Sequence, residues 1–182
     1  NAIDKVTLAA KEALQQYYGK GPEKSYFVGC SNGGRQAMMM SQRFPSHFDG
    51  IVAGDPGFRY MDAVSNTLAD VKTLAAIVPT GQATVFGPDL GKTYSPADRA
   101  LIGAAIVAKC DVKGRDNVAD GIVSDPQACD FNPQTDIPSC GAANDGTCLS
   151  AGQKTALAAM TAGGKTSSGA ALYSDYFYDA GV

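Results

Sequence analysis

The sequence has no long apolar run, no cluster of basic residues and no internal repeat. A membrane-spanning helix needs roughly 20 consecutive apolar residues, so we expect no segment of this chain to cross a membrane. With 15 basic against 18 acidic residues and a net charge of −3, the chain also lacks the positive surface that nucleic-acid binding requires. No signal peptide is visible, because residues 1–18 are predicted to form a charged, amphipathic helix.

Histidine is nearly absent, and the cysteines are not spaced as zinc ligands. His47 is the single histidine, and none of the five cysteines forms a C-x-x-C pair, so a zinc site is a poor interpretation. Four cysteines lie in the polar second half, where two disulfides formed in an oxidising compartment are the better interpretation. The fifth, Cys30, is then a free thiol or is bonded to a cysteine outside the chain. The expected location is therefore extracellular or periplasmic.

What the chain does contain is an alternation of helix and strand patterns typical of an α/β protein. The first part is predicted to alternate helix, strand, helix and strand at short spacing, which favours a parallel sheet: residues 3–18, 26–28, 35–44 and 48–54. From about residue 59 the pattern changes to helices joined by a long cysteine-bearing loop at 110–149. The predicted helices of this part are residues 60–78, 96–109 and 150–162. We expect it to be an insertion or a separate subdomain.

The stretch SYFVGCSNGGRQA, residues 25–37, is predicted to place a nucleophile on a tight turn. Its centre, Gly29 to Gly33, fits G-x-S-x-G between an apolar strand and a helix, which is the setting of a nucleophile elbow. Ser31 would adopt a strained backbone conformation, and a side chain at either Gly29 or Gly33 would crowd the strand and the helix. The backbone N–H of Asn32 would face the oxyanion at the positive end of the helix. The alternative is an ordinary turn in which Ser31 only caps the helix.

The partners of a serine nucleophile are missing from the sequence. Such a serine needs a general base and an acid that orients the base, and in α/β hydrolases the chain order is Ser, acid, His. Residues 32–46 contain no Asp or Glu. His47 lies at the far end of the helix that follows Ser31, so we expect it to be a surface or structural histidine. The chain is therefore interpreted as a fragment of a larger enzyme.

The segment AKEALQQYYGKGPEKSYFVGCSNGGRQAMMMSQRFPSHFDGIVAGDPG resembles the tannase and feruloyl esterase family, most specifically in YYG, GCSxGGR, RFP and FDGIVAG. A looser similarity continues through CDVKGRDNVADGIVSDPQACDF to YDAGV. The resemblance implies an α/β-hydrolase core with a lid inserted after the nucleophile region. Residues 1–58 would be part of the core and residues 59–182 the first part of the lid. It also implies hydrolysis of esters of aromatic acids (feruloyl, galloyl or terephthalate esters) by Ser31 through an acyl-enzyme.

The resemblance further implies a partner for each cysteine. In the family, the cysteine before the nucleophile is bridged to a cysteine beside the catalytic histidine. Cys30 would therefore bond a cysteine outside this chain, which would hold the base in place. Sequential pairing of Cys110 with Cys129 and of Cys140 with Cys148 would close the two loops of the second part. Each of these bonds is expected to contribute about 2–4 kcal/mol to stability.

The segment CDVKGRDNVADGIVSDP is predicted to bind a structural calcium ion. It crowds aspartates between glycines, and oxygen ligands on a bent loop suit Ca²⁺, although the spacing is not that of an EF-hand. The resemblance implies aspartate carboxylates and backbone carbonyls as ligands, at Asp116, Val118 (carbonyl), Asp120 and Ile122 (carbonyl). Asp111 follows Cys110 as in the family, but an insertion at Gly114-Arg115 leaves its role as a ligand open. The alternative is a solvated acidic loop.

Two other functions stay open at the level of the sequence. Cys30 could be the nucleophile in place of Ser31, which would require a nearby base and a site that stabilises the thiolate. Labelling of the nucleophile would separate these two possibilities. Alternatively, the chain could be a non-catalytic, secreted, calcium-binding module. A reading frame that continues to a cysteine beside a histidine would exclude the module.

Overall fold

A computed structural model describes residues 2–111, 118–141 and 144–181. The chain divides into two compact units, Asn1–Tyr60 and Met61–Val182. The sequence predicts a boundary after residue 58, and the division falls after Tyr60. The two units are built differently, and each is described by itself.

The first unit is a small parallel α/β arrangement. Its elements are α1 (Ala2–Tyr18), β1 (Tyr26–Cys30), α2 (Asn32–Arg43), a 3-10 helix (Pro45–His47) and β2 (Gly50–Gly54). The two strands are parallel, and their register runs from Tyr26 opposite Gly50 to Cys30 opposite Gly54. The predicted order of helix, strand, helix and strand is confirmed, as is the parallel pairing.

Asp49 fixes the register of the two strands where they begin. Its N–H donates to the carbonyl of Ser25 at 2.7 Å, and the N–H of Ser25 donates to Asp49 Oδ2 at 2.8 Å. Lys24 Nζ also lies 3.1 Å from Asp49 Oδ1. The Ser25 N–H and, after it, Lys24 lower the pKa of the Asp49 carboxyl below its ordinary value. Because the strands start level, the segments that follow Cys30 and Gly54 also leave the sheet side by side.

One face of α2 packs against the two strands. The buried residues of this helix are Gly34, Ala37 and Met40, which follow one another at a spacing of three and so share one face. The opposite face of β1 is open in the described structure, since Tyr26 and Val28 are 68% and 75% exposed. The elbow is therefore supported from the helix side of the sheet.

The second unit consists of helices, loops and one short hairpin. Its elements are α3 (Tyr60–Ala75, whose first residue is grouped with the first unit), β3 (Ala83–Thr84), β4 (Gly87–Pro88), α4 (Pro96–Cys110), α5 (Pro133–Asp136) and α6 (Ala151–Thr161), with 3-10 helices at Leu90–Lys92 and Pro126–Ala128. The three helices predicted for this part are confirmed, although α3 ends at Ala75 and not at residue 78.

The segment predicted as a continuous loop at 110–149 contains helical turns, so that part of the prediction is wrong. It includes α5, where Asn132 Oδ1 accepts from the N–H of Gln134 at 3.0 Å and Pro133 occupies the first helical turn. An asparagine cap followed by proline is a local start signal for a helix. The prediction missed it because a helix of four residues is too short to show a hydrophobic period.

The starts of α4 and α6 are joined by a buried polar network above the apolar core of the second unit. Each helix begins with a capping box, Ser95 with Asp98 and Ser150 with Gln153. The Gln153 side-chain amide donates to Asp98 Oδ2 at 3.3 Å, and the hydroxyl of Tyr94 donates to the Gln153 carbonyl at 2.5 Å. Burial raises the pKa of Tyr94 to about 12. The core beneath is formed by Ile102, Ile106, Phe131, Leu149 and Leu157.

Lys154 is a fully buried cation in α6, with 1% of its surface exposed. Its ammonium group donates to the carbonyl of Gln134 at 3.3 Å, to the carbonyl of Ile137, and to Ser139 Oγ at 2.8 Å. A lysine ammonium has three protons to donate, and these three oxygens take all of them. The side chain therefore ties α6 to α5 and to the segment that follows α5.

Two disulfide bonds close the polar loops of the second unit. Cys110 is bonded to Cys129 and Cys140 to Cys148, which is the sequential pairing that the resemblance implies. Cys30 has no disulfide partner among the described residues, which include all five cysteines, and it is exposed. No helix in the described ranges is both long and apolar enough to span a bilayer.

Candidate active site

Ser31 occupies the turn between the last residue of β1 and the first residue of α2. Its backbone has φ 56° and ψ −115°, and a positive φ is uncommon for a residue with a side chain. The Ser31 N–H donates to the Gly54 carbonyl at 3.0 Å, and the Ser31 carbonyl accepts from Arg35 at 3.0 Å and from Gly57 at 3.4 Å. The strained conformation is therefore held from both sides by backbone hydrogen bonds.

The Ser31 hydroxyl is not used to cap the helix. Although the residue stands at the N-cap position of α2, its side chain makes no capping hydrogen bond within the described part of the chain. Ordinary serine caps have extended backbone angles, as Ser95 and Ser150 do at α4 and α6. The alternative of a serine that only caps its helix is therefore wrong, and the hydroxyl remains available for chemistry.

Backbone strain is concentrated at this turn. Among the described residues, Ser31 and Asp55 are the two non-glycine residues with positive φ, and they directly follow the paired residues Cys30 and Gly54. Both strained residues thus lie at the carboxyl ends of neighbouring parallel strands, where α/β proteins bind their ligands. Strain of this kind costs about 1–3 kcal/mol per residue and is found preferentially at functional sites.

Two glycines are required by close backbone approaches at the elbow, and one of them differs from the prediction. A Cβ at Gly29 would lie 2.3 Å from the Gly33 carbonyl oxygen, as expected. A Cβ at Gly33 would have no atom within 4 Å, so the expected crowding at Gly33 is wrong. The second close contact is at Gly34, where a Cβ would lie 2.2 Å from the Gly54 carbonyl oxygen. In the sequence, the pair Gly33-Gly34 was the available signal that the backbone of this helix approaches another segment closely.

The first turn of α2 presents free backbone donors beside Ser31. The hydrogen bond from the Arg35 N–H to the Ser31 carbonyl is the first i to i−4 bond of this helix, so the N–H groups before it, Asn32 included, have no such acceptor. These donors carry the positive end of the helix dipole, which favours a developing negative charge. Chemically, such a turn can bind an oxyanion beside the Ser31 hydroxyl.

Arg35 is a member of this site that the sequence analysis missed. Its Nε and Nη2 donate to Asn32 Oδ1 at 3.1 and 2.8 Å, and its guanidinium lies 5.4 Å from the ring centroid of Tyr60. The spacing of three residues between Asn32 and Arg35, which places side chains together on a helix, was the signal available in the sequence.

His47 is a structural residue, as expected. Its Nε2 lies 2.8 Å from Asp4 Oδ1, and its ring stacks on Phe44 with centroids 5.7 Å apart. The hydrogen bond from His47 lowers the pKa of Asp4 below its ordinary value. The 12 residues of α2 separate His47 from the elbow, which corresponds to about 18 Å of helix. His47 thus binds α1 to the segment after α2 and does not serve Ser31.

Part of the predicted calcium site lies in the described structure. Asp116 lies outside the described residues. Asp111 is 6% exposed, its Oδ2 accepts from the N–H of Gly121 at 3.0 Å, and its Oδ1 is buried without a hydrogen-bond partner in the structure as described. Asp120 Oδ1 accepts from the N–H of Ile122 at 3.0 Å. Asp111 therefore reaches the segment that carries the other predicted ligands.

The buried Asp111 Oδ1, which has no partner among the described residues, could coordinate a cation. A buried carboxylate without a partner is costly, and proteins relieve that cost by pairing or by metal binding. The described ranges contain no cluster of three or more His, Cys, Asp or Glu that could hold a metal ion. Val118 is exposed, as is Ile122, so both residues lie at the surface of the unit.

Comparison with known proteins agrees with the resemblance. The family model described as tannase and feruloyl esterase matches residues 1–180. The chain is 41% identical to the mono(2-hydroxyethyl) terephthalate hydrolase of Piscinibacter sakaiensis, over 100% of this chain and 31% of that protein. It is 32% identical to a probable feruloyl esterase B-2 of Neosartorya fischeri, over 80% of this chain and 25% of that protein.

A solved structure shows the same fold. The crystal structure of feruloyl esterase B from Aspergillus oryzae superposes with a TM-score of 0.72 at 27% identity, over 98% of this chain and 33% of that one. The chain thus spans between a quarter and a third of the length of these relatives. Because the family model covers nearly every residue, the resemblance is confirmed, and the chain belongs to the tannase and feruloyl esterase family.

Proposed function

We propose that this chain is part of a serine carboxylic ester hydrolase that acts on esters of aromatic acids. The observation that carries the proposal is the strained Ser31, with φ 56°, set between a strand and the N-terminus of a helix and free of any capping role in the described structure. That geometry suits a nucleophile elbow. The names of the relatives, a terephthalate monoester hydrolase and feruloyl esterases, support the substrate class.

In the proposed reaction, Ser31 Oγ attacks the ester carbonyl carbon while a general base takes its proton. The carbonyl oxygen becomes an oxyanion, which the N–H of Asn32 stabilises at the N-terminus of α2. Collapse of this intermediate breaks the bond to the alcohol, which leaves with the proton, and an acyl-enzyme with an aromatic acyl group forms. Water then attacks the acyl-enzyme, releasing the aromatic acid and restoring the Ser31 hydroxyl.

The base and the acid of this reaction belong to the rest of the protein in our proposal. His47 lies beyond the end of α2 that is remote from Ser31, where its ring is hydrogen-bonded to Asp4 of α1. The sequence contains no other histidine. We therefore regard the chain as a fragment of the enzyme, with a catalytic Asp and His outside it. Cys30, exposed and unpaired in the described structure, would be bridged to a cysteine beside that His, which would restrain the base next to Ser31.

We also propose that the second unit binds a structural Ca²⁺ as part of the lid. The ion would be held by the carboxylates of Asp111, Asp116 and Asp120 and the carbonyls of Val118 and Ile122. Support comes from the buried Asp111, whose Oδ1 has no partner within the described residues while its Oδ2 accepts from Gly121. The hard oxygen donors of such a set suit calcium. Bound there, the ion would neutralise the carboxylates and stabilise the lid.

The two disulfides of the second unit support a secreted or periplasmic location for the protein. Such bonds persist in oxidising compartments and are rare in the cytosol. The proposed partner is a small aromatic ester, and neither nucleic acid nor a membrane is part of the proposal.

The test uses the full-length protein and a panel of methyl ferulate, methyl gallate and mono(2-hydroxyethyl) terephthalate. We expect hydrolysis of at least one ester, and Ser31→Ala should lower kcat by several orders of magnitude, as removal of a nucleophile does generally. Ser41→Ala, an exposed serine of α2 whose hydroxyl bonds the Met38 carbonyl, is the matched control and should keep full activity. The isolated 182-residue chain should show no turnover.

Labelling with a fluorophosphonate separates the alternatives. We expect the label on Ser31 of the full-length protein and none after Ser31→Ala. Activity that survives Ser31→Ala but is lost in Cys30→Ala would favour the thiol nucleophile. A full-length protein without turnover or labelling would favour the non-catalytic calcium-binding module. Turnover by the isolated chain would contradict the claim that the base lies elsewhere.

A further inference from the structure

We propose that Arg35 is a positioning residue for the oxyanion-binding turn and acts through the side chain of Asn32. The inference rests on the proposed function, because it assumes that Ser31 is the nucleophile and that the first-turn N–H groups of α2 bind the oxyanion. It goes beyond that function by assigning a role to a residue four positions after the nucleophile.

In the contact between Arg35 and Asn32, two donors of the guanidinium share one acceptor oxygen. Nε and Nη2 of Arg35 donate to the same Asn32 Oδ1, at 3.1 and 2.8 Å. The planar guanidinium presents these two donors in a fixed fork, so the pair has a defined geometry that a flexible lysine cannot copy. The guanidinium carbon also lies over the ring of Tyr60, 5.4 Å from its centroid, and this cation–π contact helps to hold the guanidinium in place.

This contact determines the orientation of the Asn32 side chain. Arginine has donors only, so the carboxamide must direct its oxygen toward Arg35 and its NH₂ group away from it. The orientation of this amide thus follows from the chemistry of its partner.

An asparagine oxygen that was free to move would be harmful at this place. Asparagine side chains readily bond backbone N–H groups close by in the sequence, most often two residues on. At the first turn of α2 these are the N–H groups that have no acceptor in the helix and that the proposed reaction offers to the oxyanion. Arg35 sequesters the acceptor that would compete with the substrate for them.

The predicted effect falls on the chemical step and not on substrate affinity. The competing oxygen matters most when negative charge develops on the substrate carbonyl, because the N–H groups bind the oxyanion more strongly than the ground-state carbonyl. Removal of Arg35 should therefore lower kcat and leave KM nearly constant. A residue that merely supported the fold would instead change the melting temperature.

The experiment is a double-mutant cycle in the full-length enzyme, measured on the ester of the panel that it cleaves best. We expect Arg35→Met to lower kcat about tenfold or more, with KM changed by less than about threefold. Arg35→Lys, which keeps the charge and one donor, should have an intermediate kcat. Arg43→Met removes an exposed arginine from the last turn of the same helix and is the control with unchanged kinetics.

The decisive comparison is made in the background of Asn32→Ala. Its own kcat is the reference for this background, because alanine keeps the backbone N–H at position 32 and removes only the side-chain oxygen that Arg35 holds. If Arg35 acts through the Asn32 side chain, Arg35→Met should lower kcat by less than about twofold in this background. An equal loss in both backgrounds would show that Arg35 acts directly through its charge and would overturn the proposal. A loss confined to KM, or no loss, would overturn it as well.

The outcomes separate this inference from the proposed function. Full activity of the wild type that is lost in Ser31→Ala, together with no effect of Arg35→Met, rejects the role of Arg35 alone. A wild type that cleaves no ester and resists the fluorophosphonate rejects both. If Arg35→Met does not fold, as judged by its melting curve, the same cycle is run with Arg35→Lys, for which we expect non-additivity of the same sign and smaller size, in line with its intermediate kcat.

Discussion

At the scale of single residues, the elbow depends on close approaches between backbones. The Ser31 N–H reaches the Gly54 carbonyl at 3.0 Å, and the same carbonyl excludes any side chain at Gly34. The carbonyl of Gly33 likewise excludes a side chain at Gly29. The strained Ser31 persists because these neighbours leave the chain no room to relax, which is how strain is maintained at functional sites.

Gly34→Ala should destabilise the protein by about 1–3 kcal/mol, the usual cost of forcing an extra group into a packed site. The added Cβ would lie 2.2 Å from the Gly54 carbonyl oxygen, and a backbone atom cannot move aside easily. Gly33→Ala, next to it in the same helix, is the matched control, because its Cβ would meet no atom within 4 Å. It should be neutral or stabilising by up to about 1 kcal/mol, given the helix propensity of alanine. Denaturant midpoints of the two variants measure the difference, and equal midpoints would contradict the described approach of α2 to β2.

At the scale of elements, α6 acts as an anchor for the polar loops of the second unit. Gln153 and Lys154, neighbours in its first turns, reach Thr93 and Asp98 on one side and the end of α5 on the other. Buried polar groups stabilise a structure only when each has a partner. α6 thus organises loops that have little apolar surface of their own.

Lys154→Met should destabilise the protein by about 2–4 kcal/mol. Methionine fills a similar volume but cannot donate, so the carbonyls of Gln134 and Ile137 and the hydroxyl of Ser139 lose their shared partner. Each buried group left unsatisfied costs about 1–3 kcal/mol, and part of this is relieved by relaxation. Lys165→Met, at an exposed position, is the control and should change stability by less than about 0.5 kcal/mol. Chemical denaturation provides the test, and a neutral Lys154→Met would show that the three oxygens find other donors.

Calcium should raise the melting temperature of the full-length protein, and a chelator should lower it. A ligand that binds only the folded state stabilises it by about 2.7 kcal/mol when present at 100 times its dissociation constant. Asp120→Ala should abolish the response. Asp111→Ala should abolish it as well, because the buried carboxylate already contacts Gly121 and its Oδ1 has no hydrogen-bond partner within the described residues.

Asp175→Ala changes an exposed carboxylate that is not one of the proposed ligands and serves as the control for the loss of negative charge. It should retain the full calcium response. If Asp111→Ala also retains it, the insertion at Gly114-Arg115 has removed that residue from the ion. Metal analysis and calorimetry that find no calcium in the wild type would leave only an acidic loop closed by the bond from Cys110 to Cys129.

At the scale of the whole molecule, the chain combines two units with different sources of stability. The first contributes a parallel pair of strands and the elbow, with one face of β1 open in the described structure. The second has an apolar core, to which α4, α6 and the loops contribute, and two disulfides. The relatives are three to four times as long as this chain, and in our proposal the base and the acid that serve Ser31 belong to the rest of the protein.

Peptide mapping of the full-length protein without reduction should recover three disulfide-bonded pairs of cysteines. We expect Cys110 with Cys129, Cys140 with Cys148, and Cys30 with a cysteine that neighbours a histidine outside this chain. Reduction should inactivate the enzyme, because the third bond restrains the proposed base. Recovery of Cys30 linked to any of the other four would contradict both the proposed bond from Cys30 to a cysteine outside this chain and the pairing in the structure.

The sequence alone determined the local features. Three local patterns predicted the positions of β1, the elbow and α2: a short apolar run, a glycine turn and a helical period. Each pattern depends only on residues close together in the chain. The single histidine, His47, lies beyond the far end of α2, and this led to the prediction that a base for Ser31 lies outside this chain. The family resemblance rested on the same local motifs, and the comparison confirmed it.

Tertiary structure decided which partners these features meet. No sequence pattern states that Gly34, and not Gly33, faces the Gly54 carbonyl, since that depends on how α2 lies across β2. The orphaned oxygen of Asp111 and the burial of Lys154 are likewise results of packing between segments that are distant in the chain. Short α5 escaped prediction because its caps and Lys154, and not a hydrophobic period, specify it. The sequence thus indicated what most segments become, because that depends on residues close together in the chain, and packing decided which atoms are close enough to act together.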